Sequence, residues 1–182
     1  SGGIYGGKKE KVLVETDSLN IDRQLGFYLS SKLCSEILFQ NFFDFFESSI
    51  ILRPFFIYGP GQKSDMFIAR LIRSIEESRV IELKGRNGLK VNPIFVDDAV
   101  DAFASSLDLI GNHTINLAGP DILSLKEIVE LLGRLLGKKP LYNYEEGEPA
   151  NYVADIRRFK SLLIDELTSF EDGIKKTLYL KK

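Results

Sequence analysis

The sequence predicts an α/β fold, and three observations carry that prediction. Segments with apolar residues at helical spacing alternate with short β-branched and aromatic runs, the pattern of strands laid beside helices. Turns bearing Gly and Pro separate them, as at Gly59-Pro60-Gly61 and Gly119-Pro120. No internal repeat or low-complexity stretch interrupts the order, and residues 147–150, the one linker-like segment, are too few to separate independent domains.

Residues 21–46 read as one long helix, because Leu25, Leu29, Leu33 and Ile37, then Phe39, Phe42, Phe43 and Phe46, recur at helical spacing. The Phe stripe is expected to be core. The run 49–58 is β-branched and aromatic and reads as a buried strand. Phe67, Ile68, Leu71, Ile72 and Ile75 mark an amphipathic helix, and 80–83 a short strand. Asn87-Gly88 has the chemistry of a hairpin turn, with 91–96 as the partner strand. Asp97 and Asp98 suit the first turn of a helix running to about residue 109, where carboxylates meet free amides and the positive end of the dipole. Residues 114–118 form a strand. Ser124 and Glu127 make a capping box opening a helix through Leu136, which Gly137 closes. A short strand over 141–144 and short helices over 157–163 and 170–178 complete the order.

Composition removes several classes of function. With 182 residues, 44% of them hydrophobic, the chain can bury a sizeable core. Its 24 Lys and Arg are offset by 26 Asp and Glu, for a net charge of -2, which argues against a nucleic-acid binder that must displace counterions from phosphates. One cysteine, Cys34, excludes an internal disulfide and a multi-cysteine zinc site, and one histidine, His113, excludes a His-rich centre. Cys34 reads as a small packing residue on its helix, and His113 as a surface turn residue. No metal is expected, and Asp97-Asp98 is better explained by its helix start than as a metal pair. No membrane span or secretory leader is readable, so a reducing, cytoplasmic setting is the expectation.

Glycine-rich segments near the start do not make a phosphate site. Gly2 to Lys8 matches the opening of a phosphate-binding loop, but Lys9 stands where a magnesium-binding Ser or Thr belongs, and no dinucleotide phosphate fingerprint occurs in the chain. The informative residues are Tyr28 and Lys32, four apart on a helix and so on one face. Bringing a Tyr from pKa ~10 to ~7 needs roughly 4 kcal/mol of phenolate stabilisation. An ammonium about 4 Å away at an effective dielectric near 20 supplies a term of that size. Such a pair can move a hydroxyl proton during hydride transfer. By itself the same spacing is also an ordinary surface arrangement.

The company of the pair narrows the reading. Ser1-Gly-Gly-Ile-Tyr-Gly6 precedes it; Ser31-Lys32 and Glu36, the block 52–60 (LRPFFIYGP), 94–99 (IFVDDA) and 116–120 (NLAGP) follow. In this order the blocks resemble the extended short-chain dehydrogenase/reductase family, in its NAD-dependent epimerase/dehydratase branch, and the resemblance spans essentially the whole chain. It implies the second half of a Rossmann-like parallel sheet plus a small α/β substrate-binding region. Residues 1–60 would be a remnant of the NAD(P)-binding domain with the catalytic helix; 61–182 would be mainly the substrate-binding region, with some segments returning to the sheet. The family's Gly-rich NAD loop would lie upstream of Ser1, so the isolated chain is expected to be inactive. By the same resemblance Ser1, Tyr28 and Lys32 are the catalytic residues, and Tyr28, Lys32, Pro54 and Phe55 bind the cofactor, Lys32 at the nicotinamide ribose and Pro54 and Phe55 on the nicotinamide side of NAD or NADP. The spacing of Ser1 to Tyr5-Gly6 reads it as a native residue.

Two departures touch the substrate. Phe56 stands where nucleotide-sugar enzymes commonly carry Asn, and Val91 where many carry a diphosphate-binding Arg. Arg86 and Lys90 are the nearest replacements for that cation, so Phe56, Arg86, Lys90 and Asn92 are the substrate-facing candidates. The resemblance thus implies an NAD(P)-dependent nucleotide-sugar epimerase or dehydratase and a homodimer through the long helix. The alternatives are a reductase of a smaller carbonyl or hydroxyl compound and a truncated, non-catalytic binding module.

Overall fold

The computed structural model describes residues 1–8, 11–22 and 25–179. Lys9 and residues 23–24 of the expected helix lie outside the described residues. The strands are β1 (Val12–Leu13), β2 (Ser48–Pro54), β3 (Val80–Lys84), β4 (Lys90–Val91), β5 (Gly111–Leu117), β6 (Leu123–Ser124), β7 (Leu141–Glu145) and β8 (Val153–Ala154). The helices are α1 (Gly26–Gln40), α2 (Phe67–Glu76), α3 (Val96–Ser105), α4 (Leu125–Leu136), α5 (Arg157–Leu162) and α6 (Phe170–Tyr179), with a 3-10 turn at Gly2–Tyr5. Strands and helices alternate as the periodicity predicts, and β2–β5, β3–β7 and β1–β8 pair in parallel.

The β2–β5 pair positions everything that follows. Its register runs from Ser48↔Gly111 to Pro54↔Leu117, so Arg53 and Asn116 point to one face and Leu52 and Ile115 to the other. Ala99 and Ala102 of α3 and Phe159 of α5 cover the Leu52–Ile115 face. On the other face α1 meets β2 through Glu36 and Arg53. A second core joins α2, α4 and α6 to β3 and the loops around Tyr58 and Phe95, with Ile72, Ile128, Leu132 and Ile174 at its centre. The capping box on α4 forms as expected, with the Glu127 amide donating to the Ser124 hydroxyl, and Gly137 closes the helix at φ 64°.

Several expectations are corrected. The helix expected over 21–46 is, in its described part, α1 from Gly26 to Gln40. The Asn41 side chain donates to the Ile37 carbonyl at 2.8 Å and Phe42 N to Phe39 O at 2.9 Å, so the chain tightens into a 3-10 turn at Phe43–Phe45 before β2. A Phe every three or four residues is compatible with either conformation. The Phe stripe is not core in this chain: Phe42 is half-exposed, and Phe39 and Phe46 also face solvent. Residues 80–96 form no hairpin. Asn87 O accepts from Lys126 N and Leu89 O from Leu125 N, so the turn seats the start of α4, while β3 pairs with β7 and Val96 already belongs to α3. Asp98, in the first turn of α3, accepts from the Thr168 amide and hydroxyl, tying the helix to a distant loop. Cys34 is exposed rather than packed, and His113 lies within β5, where Nε2 meets the Ile110 carbonyl at 2.9 Å.

Candidate active site

The site is assembled where the 3-10 turn, α1 and the carboxyl end of β2 meet. Gly2 and Gly3 permit that approach. A methyl group on Gly2 would lie 2.4 Å from the Phe55 ring, and one on Gly3 would lie 2.7 Å from Leu29 of α1. The turn that follows Ser1 therefore packs between Phe55, at the end of β2, and Leu29 of α1, the neighbour of Tyr28. Lys32 Nζ lies 5.6 Å from the Tyr28 ring centroid, a cation–π contact across one turn of α1. Tyr28 is 63% exposed, and among the described residues Lys32 makes no ion pair. Pro54 ends β2, and the buried Phe55 stacks on Tyr5 with centroids 6.0 Å apart. The 3-10 turn thus meets Phe55 at Gly2 and the helix that bears Tyr28 and Lys32 at Gly3. Two clefts elsewhere, of about 650 and 570 Å³, are lined by none of these residues.

Beneath this group lies a buried polar network. Nε of Arg53 donates to both Glu36 carboxylate oxygens at 3.2 Å, and Nη2 forms an ion pair with Glu36; these side chains are 4% and 6% exposed. Nη1 of Arg53 donates to the Tyr5 hydroxyl and, at 3.1 Å, to the Glu15 carbonyl. The Tyr5 hydroxyl donates to Asn116 Oδ1 at 2.8 Å, and Asn116 Nδ2 donates to the Leu13 carbonyl at 3.1 Å. The guanidinium also lies over the Tyr5 ring, 4.9 Å from its centroid. Burial pushes the Tyr5 hydroxyl above its ordinary pKa, against the pull of Arg53. Burial also opposes the Arg53 charge, but the contacts with Glu36 and Tyr5 together outweigh it and raise the guanidinium pKa. The sequence offered a signal for this network that carried no role there: Arg53 interrupts an otherwise apolar strand, and Glu36 follows Lys32 by four residues on α1. A charge in a buried strand needs a partner.

The residues expected to face substrate lie in different settings, and Asn92 is closed off from solvent. Phe56 adopts φ 44°, a left-handed conformation that costs a non-glycine residue about 1–2 kcal/mol. Its half-buried ring packs against Phe67 and Tyr152, at 5.1 and 6.0 Å. Lys90 is exposed and its amide donates to Asn151 Oδ1, while residue 151 pairs with Lys8 just past the 3-10 turn. Arg86 is on the exposed turn between β3 and β4. Asn92 is 1% exposed, with its carboxamide committed to the backbone: Nδ2 donates to Gly119 O and Ala154 O, and Oδ1 accepts from Ala154 N. That leaves one acceptor lone pair and no donor. Asn92→Ala should cost about 2 kcal/mol, since it strands buried backbone groups, and urea unfolding would show it as a lowered midpoint at unchanged slope.

A parallel strand pair with helices on both faces defines an α/β protein of the Rossmann-like class. The family model "NAD dependent epimerase/dehydratase family" matches residues 1–118, and the chain belongs to that family. It is similar to UDP-glucuronate 4-epimerase of Thermodesulfobacterium geofontis, 31% identical over 172 residues, covering 91% of this chain and 53% of that protein. An uncharacterized UDP-glucose epimerase of Bacillus subtilis is 32% identical over 179 residues, covering 94% and 55%. Among solved structures, MoeE5 in complex with UDP-glucuronic acid and NAD matches with TM-score 0.82 and 27% identity, over 100% of this chain and 62% of that one. UDP-glucuronic acid 4-epimerase of Bacillus cereus in complex with NAD matches with TM-score 0.80 and 26% identity, over 99% and 60%. The chain spans about half the length of the curated relatives it matches. No helix among the described residues is long and apolar enough to cross a membrane.

Proposed function

We propose that this chain is the acid/base and sugar-facing portion of an NAD(P)-dependent nucleotide-sugar epimerase or dehydratase. The observation that carries the reading is the Tyr28–Lys32 pair, beside the Ser1 turn and the carboxyl end of β2. The names of the relatives, UDP-sugar epimerases among them, support the substrate class. Tyr28 takes the proton of a substrate hydroxyl and later returns it, and the Ser1 hydroxyl holds the same oxygen by a hydrogen bond. Lys32 brings the positive charge that a phenolate needs beside it. Pro54, half-buried at the end of β2 and backed by the buried Phe55, gives the site an apolar side that keeps water from the reacting carbon.

These residues suit the nicotinamide end of the cofactor, since Pro54 closes a strand's carboxyl end and Lys32 offers an ammonium that makes no ion pair among the described residues. NAD bound there would supply the reversible oxidation of the sugar carbon. Residues 1–60 then belong with the dinucleotide-binding sheet and 61–182 carry most of the substrate side. The apolar surface left on α1 and after it, including Phe27, Leu38 and Phe45, supports a homodimer through that helix. A cytoplasmic setting agrees with the unpaired Cys34.

The test is turnover of UDP-glucuronate and UDP-glucose by the full-length protein with NAD, followed by NMR of the sugar products, together with UDP binding at low and high salt. Lys90→Ala and Arg86→Ala are each expected to weaken UDP binding about three- to tenfold at low salt, because an exposed cation on a phosphate is worth about 1 kcal/mol and is screened by salt. Absence of UDP binding at any salt, with turnover of a small hydroxy compound, would replace this reading by the reductase, which the apolar Phe56 suits.

A further inference from the structure

We propose that Arg53 is a positioning residue for the Tyr28–Lys32 pair: by holding Glu36 in a buried ion pair, it leaves the Lys32 ammonium, one helical turn away, free for Tyr28. The inference rests on the reading of that pair as the acid/base unit. Tyr28, Lys32 and Glu36 stand at i, i+4 and i+8 on α1 and share one side of it. Lys32 therefore has two partners within reach, the Tyr28 ring on one side and the Glu36 carboxylate on the other. An ammonium offered a neutral ring and an unpaired carboxylate goes to the carboxylate, since charge–charge attraction exceeds cation–π attraction. In the structure the carboxylate is already taken. Three guanidinium nitrogen–oxygen contacts hold Glu36 on Arg53, and Lys32 lies over the Tyr28 ring.

Arg53 cannot follow Glu36 outward, because its Nη1 is tied to the Tyr5 hydroxyl and the Glu15 carbonyl on the sheet side. The ionisable groups around the pair are Arg53, Tyr5 and Glu15 from the sheet side, and Lys32 and Glu36 on α1. Of the side-chain cations among the described residues, Lys32 is the one left to answer a vacated Glu36. Removing Arg53 would thus act on the Tyr28 chemistry without touching substrate.

The test uses the full-length protein as wild type, Arg53→Lys, Arg53→Met and the double variant Arg53→Met/Glu36→Met. Two quantities are read: the pH dependence of kcat/KM for a UDP-sugar with NAD, and the rate of Lys32 acetylation by acetic anhydride, mapped by mass spectrometry. In Arg53→Met the orphaned carboxylate takes Lys32, so acetylation slows about tenfold and the acid limb of the profile moves up by about one pH unit. Arg53→Lys keeps the cation and stays near wild type. The double variant removes both charges, so acetylation and the acid limb return to wild type even where kcat stays lower. Should Arg53→Met not fold, Arg53→Gln, which retains donors to Glu36 without the charge, is expected to give the same two shifts. A fall in kcat and thermal stability with Lys32 acetylation and the acid limb unmoved would overturn the inference. A wild-type protein inactive on every UDP-sugar would overturn the proposed function instead, and the acetylation pattern would still decide the role of Arg53.

Discussion

Tyr28→Phe in the full-length protein is expected to lower kcat by about 10²–10⁴-fold with little change in KM, the scale set by losing a positioned general acid/base. The substitution removes one oxygen. The ring that lies under Lys32 remains, so the cation–π contact and the course of α1 are preserved. The side chain is largely exposed and its hydroxyl holds no hydrogen bond among the described residues, so stability should stay within about 0.5 kcal/mol. Steady-state rates and a thermal melt on the same preparation separate the two effects. Retention of a tenth or more of the wild-type kcat would remove Tyr28 from the chemistry and leave Tyr5, the other tyrosine of this region, as a buried hydroxyl already committed to Asn116 and Arg53.

The second large effect is on folding. Gly119→Ala should destabilise the chain by about 3 kcal/mol or more, at the upper end of what an added core methyl costs. A Cβ at Gly119 would stand 2.0 Å from the carbonyl oxygen of Pro93 and 2.9 Å from its carbonyl carbon, and both are backbone. That backbone cannot yield cheaply. Gly119 N donates to Asn92 O at 3.0 Å, and the Asn92 side chain clamps the same segment to residue 154. For a domain of this size the melting temperature would fall by roughly 6–12 °C. A variant within 1 °C of wild type would show that the loop after β5 adjusts freely. The loss should be independent of NAD or substrate affinity measured below the melting range, since Gly119 touches the Asn92 clamp rather than the Tyr28 face.

How legible each part was follows from how local its cause is. The capping box at Ser124 and Glu127, the αL Gly137 and the amphipathic helix α2 depend on residues within a few positions of one another, and all were readable. The turn at Asn87-Gly88 was readable as a turn but not in its use. The same glycine geometry serves a hairpin or a seat for α4, and what decides is that β3 gains five paired residues with β7, some sixty positions later. The Phe-rich stretch after α1 failed for a related reason. Spacing alone does not distinguish a helix from a 3-10 turn leading into a strand, and hydrophobicity alone does not say whether a face is covered.

For the site, the sequence by itself determined the spacing of Tyr28 and Lys32, because four residues on any α-helix put two side chains on one side, and it determined the alternation that makes the fold α/β. The family blocks it displays at 1–6, 28–36, 52–60, 94–99 and 116–120 were enough to place the chain in its family. Only the tertiary structure decided which polar residues of those blocks meet. Arg53 and Glu36 are seventeen residues apart and Tyr5 and Asn116 a hundred and eleven, and each is a polar residue in an apolar setting until the others arrive. A buried charge is tolerable only when its partners are delivered by separate elements at the same point, so which partner each one finds depends on the packing of α1, β2, β5 and the 3-10 turn together.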